Sequence, residues 1–140
     1  MALSTVFSPA KPAEVWVSAT TVGPDVPVIS PSDQPGLTST GTGDFTSSEN
    51  FGPYTLSGIP NGSVGFAAKE VGVYVDGTFA LPVTGGLTTT AQNVVVYAVV
   101  AAGAITSLTL TVGTNKVYGK VNYSKDFIRV AGTLPVQIGV

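Results

Sequence analysis

Residues 71–83, VGVYVDGTFALPV, carry the clearest fold signal in the chain. Their first three valines alternate with glycine, tyrosine and aspartate, which is the period-two pattern of a strand with one buried face. Asp76-Gly77 then separates this run from the apolar residues 78–83. An Asp-Gly pair between two apolar runs is the strongest short-range signal of a β-hairpin, because both residues tolerate a positive φ. The stretch therefore predicts two antiparallel strands joined by a tight turn.

A second pattern of this kind follows nearer the C terminus. Residues 105–112 end in an alternation of apolar and hydroxyl side chains, residues 113–115 (GTN) are a turn signal, and residues 116–123 resume the alternation. We interpret this as another hairpin. Its second strand is predicted to have one buried face and one polar face. The polar face is predicted to carry three side chains of interest, Lys116, Tyr118 and Lys120.

The composition favours strands throughout the chain. Valine and threonine number 40 of the 140 residues, whereas Leu, Met, Glu, Lys, Gln and Arg together number 21. β-Branched side chains favour strands over helices. Apolar pieces at residues 14–20, 26–30 and 53–57 end at proline or glycine, which is typical of short or edge strands. With further strands at residues 127–131 and 134–140, we predict an all-β jelly roll or β-sandwich of about ten short antiparallel strands.

The length predicts one domain, since domains most often contain roughly 100–150 residues. We therefore predict a single β domain over residues 1–140. Eight of the ten prolines precede residue 61. Residues 1–13 are interpreted as an N-terminal arm. Residues 36–52, which are rich in Gly, Ser and Thr, are interpreted as a flexible loop.

Several function classes are disfavoured by composition. The chain has no cysteine and no histidine, which removes thiol nucleophiles, histidine bases and the usual zinc ligands. Four of its eight acidic residues, Asp25, Asp33, Asp44 and Asp76, occur in or beside turns, so a pair of glycosidase carboxylates is not indicated. We expect no enzymatic activity, no metal and no cofactor. A net charge of −2 and a pI near 4.7 disfavour a duplex-DNA binder.

Membrane insertion is also disfavoured. Residues 94–112 lie inside the charge-free run 77–115 and would attract a hydropathy search. The alternation of leucine and valine with hydroxyl residues in their second half indicates a strand instead. Residues 1–12 lack the basic segment and apolar run of a secretory leader. We expect no membrane partner and a product made and retained in a cytoplasm.

The positive charges are concentrated near the C terminus. Four of the six cations lie within fourteen residues: Lys116, Lys120, Lys125 and Arg129. Aromatic residues interleave with them, so a single-stranded nucleic-acid groove is one hypothesis. A contact patch for an acidic protein surface is favoured over it, and an ordinary solvated strand face remains open. The sole tryptophan, Trp16, is interpreted as a core residue or an interface anchor, with the core favoured.

Three phrases carry a resemblance to a known family. They are VGVYVDGTFALP at residues 71–82, TNKVYG at 114–119 and GTLPVQIGV at 132–140. In these phrases the chain resembles the small capsid decoration or cement proteins of tailed bacteriophages, and most of all the jelly-roll cement protein of a Bordetella phage. The resemblance covers mainly residues 67–140.

The resemblance implies a structural protein on the outer surface of the virion, made in the host cytoplasm. It implies binding to the major capsid protein so that neighbouring subunits are bridged, with no direct contact to nucleic acid. Small symmetric oligomers bridge more subunits than a monomer, so we expect a homodimer, with a trimer as the alternative. Capsid or self contacts are expected from the arm, the loop anchors and the polar strip, namely Phe7, Pro9, Pro12, Phe45, Phe51, Tyr54, Lys116, Tyr118, Lys120 and Arg129.

Two other functions stay open at this point. A carbohydrate-binding β-sandwich would present Trp16 and two or three tyrosines in a planar row. A host-attachment module of a phage tail would also be rich in strands, but it would normally contain a trimeric rod segment or longer repeats. An enzyme is the least favoured class.

Overall fold

The computed structural model describes residues 5–7, 12–62, 66–123 and 127–139, and residues 5–7 by their backbone only. Strands are the regular elements of this part of the chain. They are β1 (Thr5–Phe7), β2 (Glu14–Val17), β3 (Pro27–Ile29), β4 (Pro35–Thr38), β5 (Thr46–Phe51), β6 (Tyr54–Pro60), β7 (Glu70–Tyr74), β8 (Gly77–Pro82), β9 (Val95–Ala101), β10 (Ala104–Thr109), β11 (Lys116–Val121) and β12 (Thr133–Ile138). The prediction of an all-β fold of short strands is confirmed.

The strands form a β-sandwich of the predicted jelly-roll kind. A six-stranded sheet has the order β1-β8-β12-β11-β9-β10, and a four-stranded sheet has the order β2-β7-β4-β3. Every pairing between these strands is antiparallel. Strands β5 and β6 pair only with each other, as a separate hairpin. The proline-bounded strands β2 and β3 lie at the two edges of the four-stranded sheet, as predicted for short edge strands.

The prediction of a hairpin at Asp76-Gly77 is wrong. Strand β7 pairs with β2 and β4, whereas β8 pairs with β1 and β12 in the other sheet. Gly77 has φ 109° while Asp76 is not among the residues with positive φ, and a type I′ turn requires a positive φ at both central residues. The chain therefore crosses between sheets here. Tyr74 and Phe79 stack at 5.9 Å between ring centroids instead of pairing through their strands.

The predicted hairpin of residues 105–123 is also wrong. Strand β9 lies between β10 and β11 and pairs with both. The true hairpin joins β9 to β10 through Ala102 and Gly103, whose φ values are 52° and 79°. Two consecutive positive φ values are those of a type I′ turn. Alanine is an unusual residue for this position, so the turn carries no strong sequence signal.

Two further predictions need correction. Residues 36–52, predicted as a loop, contain most of β4 and all of β5, and Leu37 and Thr38 are buried. Residues 127–131, predicted as a strand, contribute only an isolated bridge from Val130 to Thr133. Of the predicted arm, β1 lies at the edge of the six-stranded sheet, and residues 1–4 and 8–11 lie outside the described residues.

The core lies between the sheets and is built from side chains of the inward-facing strand positions. Its central members come from β4, β8, β9, β11 and β12. They include Leu37, Phe79, Leu81, Val96, Tyr118, Val121, Leu134, Val136 and Ile138, each 0–2% exposed. Burying such side chains is the main stabilising contribution to the fold.

Candidate interaction surfaces

A bulge in β11 separates the residues of the predicted polar strip. The register of β11 against β9 shifts between Val117 and Gly119. Tyr118 is consequently 1% exposed and Val117 is 59% exposed, the reverse of the prediction. The interpretation of Tyr118 as a surface contact is wrong, because the extra residue of the bulge turns its ring into the core.

Tyr118 joins the two sheets through its hydroxyl group. The hydroxyl donates a hydrogen bond of 2.6 Å to the backbone carbonyl of Gly36 in β4. Burial raises the pKa of the Tyr118 hydroxyl well above its ordinary range. The side chain therefore stays neutral and serves as a hydrogen-bonded core residue.

The two lysines of the strip lie on opposite faces of the six-stranded sheet. Lys116 pairs in register with the core residue Ala98, and its ammonium bonds Asp33 of the four-stranded side at 3.3 Å. Lys120 pairs with Gln137 and Val95 on the outward face. Cross-strand partners share a face of the sheet, so these two lysines cannot act in one contact.

Arg129 is separate from both lysines in its contacts. Its guanidinium carbon lies 3.9 Å from the centroid of the Tyr123 ring, and its Nη1 donates to the carbonyl of Thr88 at 3.1 Å. The Tyr123 hydroxyl donates to the carbonyl of Thr90 at 3.0 Å. Arg129 thus links the loop that follows β8 to the segment before β12. Lys125 lies outside the described residues.

The β5–β6 hairpin is exposed along nearly its whole length. Its turn is Gly52-Pro53. Gly52 has φ 60°, and it occupies the first central position of a type II′ turn, where glycine is preferred because φ is positive. Phe51 pairs with Tyr54 and Glu49 pairs with Leu56, so these four side chains share one face. Three of them are apolar and more than half exposed: Phe51 at 55%, Tyr54 at 75% and Leu56 at 54%. The opposite face carries the hydrogen-bonded pair Asn50 and Thr55.

Phe45 lies at the base of this hairpin and is not part of its exposed tip. A Cβ on Gly23 or Gly41 would lie 2.7–2.9 Å from atoms of the Phe45 side chain, so the ring packs against both glycines. The backbone N–H of Asn61 bonds the Phe45 carbonyl at 3.0 Å. Of the three predicted loop anchors, Phe51 and Tyr54 therefore project from the molecule, and Phe45 holds the hairpin base.

An ion-pair cluster fixes the same base. The Lys69 ammonium lies 2.6 Å from Asp44 Oδ2 and 2.7 Å from the Thr21 hydroxyl, which donates to Asp44 Oδ2 at 2.7 Å. Lys69 and Thr21 hold the pKa of the Asp44 carboxyl well below its ordinary value of 3.8. Three segments that precede β3, β5 and β7 are thereby joined at one point.

Asp44→Asn is expected to destabilise the fold at neutral pH and to have progressively less effect in acid. A lowered folded-state pKa gives stabilisation that is complete above the unfolded-state pKa and is lost as pH falls below about 4 toward the folded-state pKa. Urea unfolding of wild type and variant at pH 7, 5 and 3 measures the difference. Asp33→Asn, in an exposed 3.3 Å pair, is the control and should change stability little. A stability difference between wild type and Asp44→Asn that is constant with pH would contradict this linkage.

A cavity of about 900 Å³ opens beside the four-stranded sheet and is called here the Trp16 cavity. Its walls come from β2, β3, the β3–β4 turn, β7 and the β9–β10 hairpin, and Lys116 and Asp33 also line it. The apolar lining includes Trp16, Val22, Val26, Val28, Val71 and Ile105. Trp16 is half-buried, and its Nε1 donates to Glu14 Oε1 at 3.1 Å. It is neither a fully buried core residue nor a free surface anchor, and no tyrosine lines the described cavity with it.

The outward face of the six-stranded sheet is nearly uncharged. Val96 and Ala98 of β9 lie in the core, so Val95, Tyr97 and Val99 alternate with them and face outward. One cross-strand row runs Thr78, Gln137, Lys120 and Val95, and another runs Val117, Tyr97 and Thr109. Thr78 is itself buried, at 1% exposed, so the open part of this side lies on β11, β9 and β10. Lys120 is the only charged residue in these two rows. We call this surface the outer sheet face.

The remaining predicted contacts are less informative. Pro12 is exposed. Pro9 and the side chain of Phe7 lie outside the described residues.

Among residues 12–62, 66–123 and 127–139, no group of three or more acidic, histidine or cysteine residues is arranged to hold a metal ion. In the same part of the chain, no helix has the length and apolar character needed to cross a bilayer.

Comparisons with protein-family models, with curated proteins and with solved structures found no match for this chain. The resemblance to phage decoration proteins therefore stays a prediction that rests on the three sequence phrases.

Proposed function

We propose that this protein is a structural decoration protein that binds the outer surface of a phage capsid and bridges neighbouring major capsid protein subunits. The observation that carries the proposal is the outer sheet face. Antiparallel sheets with one solvated face normally alternate between hydrophobic and polar residues. Strand β9 instead reads VVYAVVA and is apolar on both faces, which is typical of a strand covered on both sides.

A capsid surface is a suitable cover for such a face. A nearly neutral sheet face can contribute to a standard interface of roughly 800 Å² per partner with little charge to desolvate. The exposed Val117 and the ring of Tyr97, its cross-strand partner, provide the apolar centre. Lys120 provides a single charge, which favours one register over others on an acidic partner.

The shell would be stabilised because many copies bind at equivalent junctions between capsid subunits. Each copy adds contact area across a junction between capsid subunits, where pressure from packaged DNA separates them. A lattice that presents the same junction many times multiplies modest single-site affinities into tight overall binding when copies are linked. The protein needs no catalytic group for this role.

Val117→Glu is expected to weaken capsid binding by about tenfold or more, because it places an unpaired charge at the centre of the contact. The measurement is co-sedimentation with empty shells of the source phage, compact and expanded, with bound copies counted per shell. Val112→Glu is the matched control, since Val112 is 58% exposed against 59% for Val117 but lies in the loop before β11. Equal losses in both variants would remove the outer sheet face from the contact, and absence of saturable wild-type binding to either shell form would overturn the proposed function.

A further inference from the structure

One apolar feature of this chain projects from the molecule and another is concave. The β5–β6 hairpin projects Phe51, Tyr54 and Leu56 from one face, and the Trp16 cavity is concave and mainly apolar. We propose that the hairpin of one copy inserts its apolar face into the Trp16 cavity of a second copy. The proposal concerns the free protein and does not depend on capsid binding.

The β5–β6 hairpin would be stabilised by burial of its apolar face against another surface. A two-stranded hairpin alone is at best marginally stable in water, and the side chains of β5 and β6 are exposed at most positions. An apolar cross-strand pair such as Phe51 and Tyr54 gains stability mainly when its rings leave water. A groove that receives both rings would therefore stabilise the hairpin as well as the complex.

The sizes of the two features agree. The cavity of about 900 Å³ is at the upper end of the roughly 300–1,000 Å³ typical of ligand pockets, so it can hold more than one ring. At their exposed fractions, Phe51 and Tyr54 together offer roughly 250 Å² of surface. Burying both rings against an equal cavity surface, twice in a reciprocal dimer, removes roughly 1,000 Å². Leu56 and the hairpin backbone bring the total to the roughly 1,200 Å² at which stable interfaces begin.

The hairpin and the cavity also carry charges of opposite sign. Glu49 lies on the apolar face of the hairpin because it pairs with Leu56. Lys116 is the cation that lines the cavity, and its ion pair with Asp33 is exposed and 3.3 Å long. An ammonium has three donors, so Lys116 can bind Glu49 of a second copy while keeping Asp33. This contact would fix the direction in which the hairpin enters.

The position of the hairpin base makes reciprocal exchange possible. Thr21 is bonded to Asp44 and Lys69 at the base of the hairpin, and its neighbours Thr20 and Val22 line the cavity. The base of each hairpin therefore lies beside the cavity of the same chain. Two copies related by a two-fold axis can then fill each other's cavities, which gives a closed assembly.

The first test compares oligomer mass and tryptophan emission over a dilution series. We expect wild type to sediment as a dimer and its Trp16 emission to shift to longer wavelength when dilution opens the cavity. Phe51→Ser with Tyr54→Ser should raise the dissociation constant at least about tenfold and lose the concentration dependence of the emission. The matched control is Asn50→Ser with Thr55→Ser, the cross-strand pair on the opposite face, which should behave as wild type.

The second test uses the absence of cysteine in the native chain. Pro53→Cys places one thiol at the hairpin tip and keeps both rings, and Val28→Cys places one thiol in the cavity wall. Mild oxidation of a mixture of the two variants should give the mixed disulfide, from the hairpin tip of one chain to the cavity wall of the other, in preference to either homodimer. Cross-linking of the Pro53→Cys protein alone to the same extent would overturn insertion, as would a wild-type protein that remains monomeric up to about 1 mM.

Discussion

Tyr118→Ala is expected to lower the free energy of unfolding by about 3–5 kcal/mol, the usual cost of removing a buried aromatic side chain. The ring is 1% exposed and lies in the core between the two sheets. Its hydroxyl bonds the Gly36 carbonyl, so the substitution removes a hydrogen bond between the sheets as well as packing. The urea unfolding midpoint and slope measure the loss.

Two companion variants separate the contributions. Tyr118→Phe keeps the ring and removes only the hydroxyl, so it should cost roughly 1–3 kcal/mol through the hydrogen bond left unmade. Val117→Ala, one residue earlier on the exposed side of the bulge, should change stability by less than about 0.5 kcal/mol. If the costs at positions 117 and 118 were reversed, the bulge in β11 would be placed incorrectly.

Gly119→Ala is expected to cost about 1–3 kcal/mol through overpacking. A Cβ at this position would overlap the Gln137 carbonyl oxygen and lie 2.9 Å from Val136 Cγ1. The carbonyl belongs to the paired strand β12 and cannot move without disturbing the sheet. Gly119 is not among the residues with positive φ, so the cost comes from the contact and not from backbone strain.

Thermal and urea unfolding of Gly119→Ala measure this effect, with Lys120→Ala as the control on the exposed side of the same strand. A variant as stable as wild type would show that β11 and β12 are farther apart than the register of Lys120 with Gln137 implies. The same variant should leave hairpin insertion unchanged at temperatures where it is folded, because Gly119 does not line the Trp16 cavity.

The exposed hairpin tip could have been found in the sequence. Phe51, Tyr54 and Leu56 alternate with polar residues on either side of Gly52-Pro53, and glycine at the first turn position is the signal of a type II′ hairpin. The low apolar content of residues 36–52 hid this signal within a segment that resembled a loop. The Trp16 cavity could not be found in this way, because its walls come from residues 16–34, 71, 100–105 and 116.

Alternation alone could not distinguish the inner and outer residues of β11. A single extra residue at the bulge reverses the side on which each following side chain lies, and Tyr118 with Gly119 occupies that point. The sequence places Lys116, Tyr118 and Lys120 at positions of equal parity. Only the pairing with β9 and the burial of Tyr118 show that the first two face inward and the third outward.

By itself, the sequence determined that this protein is all-β, with short strands bounded by proline and glycine, because those preferences are local to each residue. It did not determine which strands pair. Asp76-Gly77 and residues 113–115 each lie between two strands that follow each other in the sequence. In the tertiary structure the first segment crosses from one sheet to the other. The second joins β10 to β11, which do not pair because β9 lies between them in the sheet. Strand pairing depends on which apolar faces can be buried together, and that is decided by contacts between distant parts of the chain.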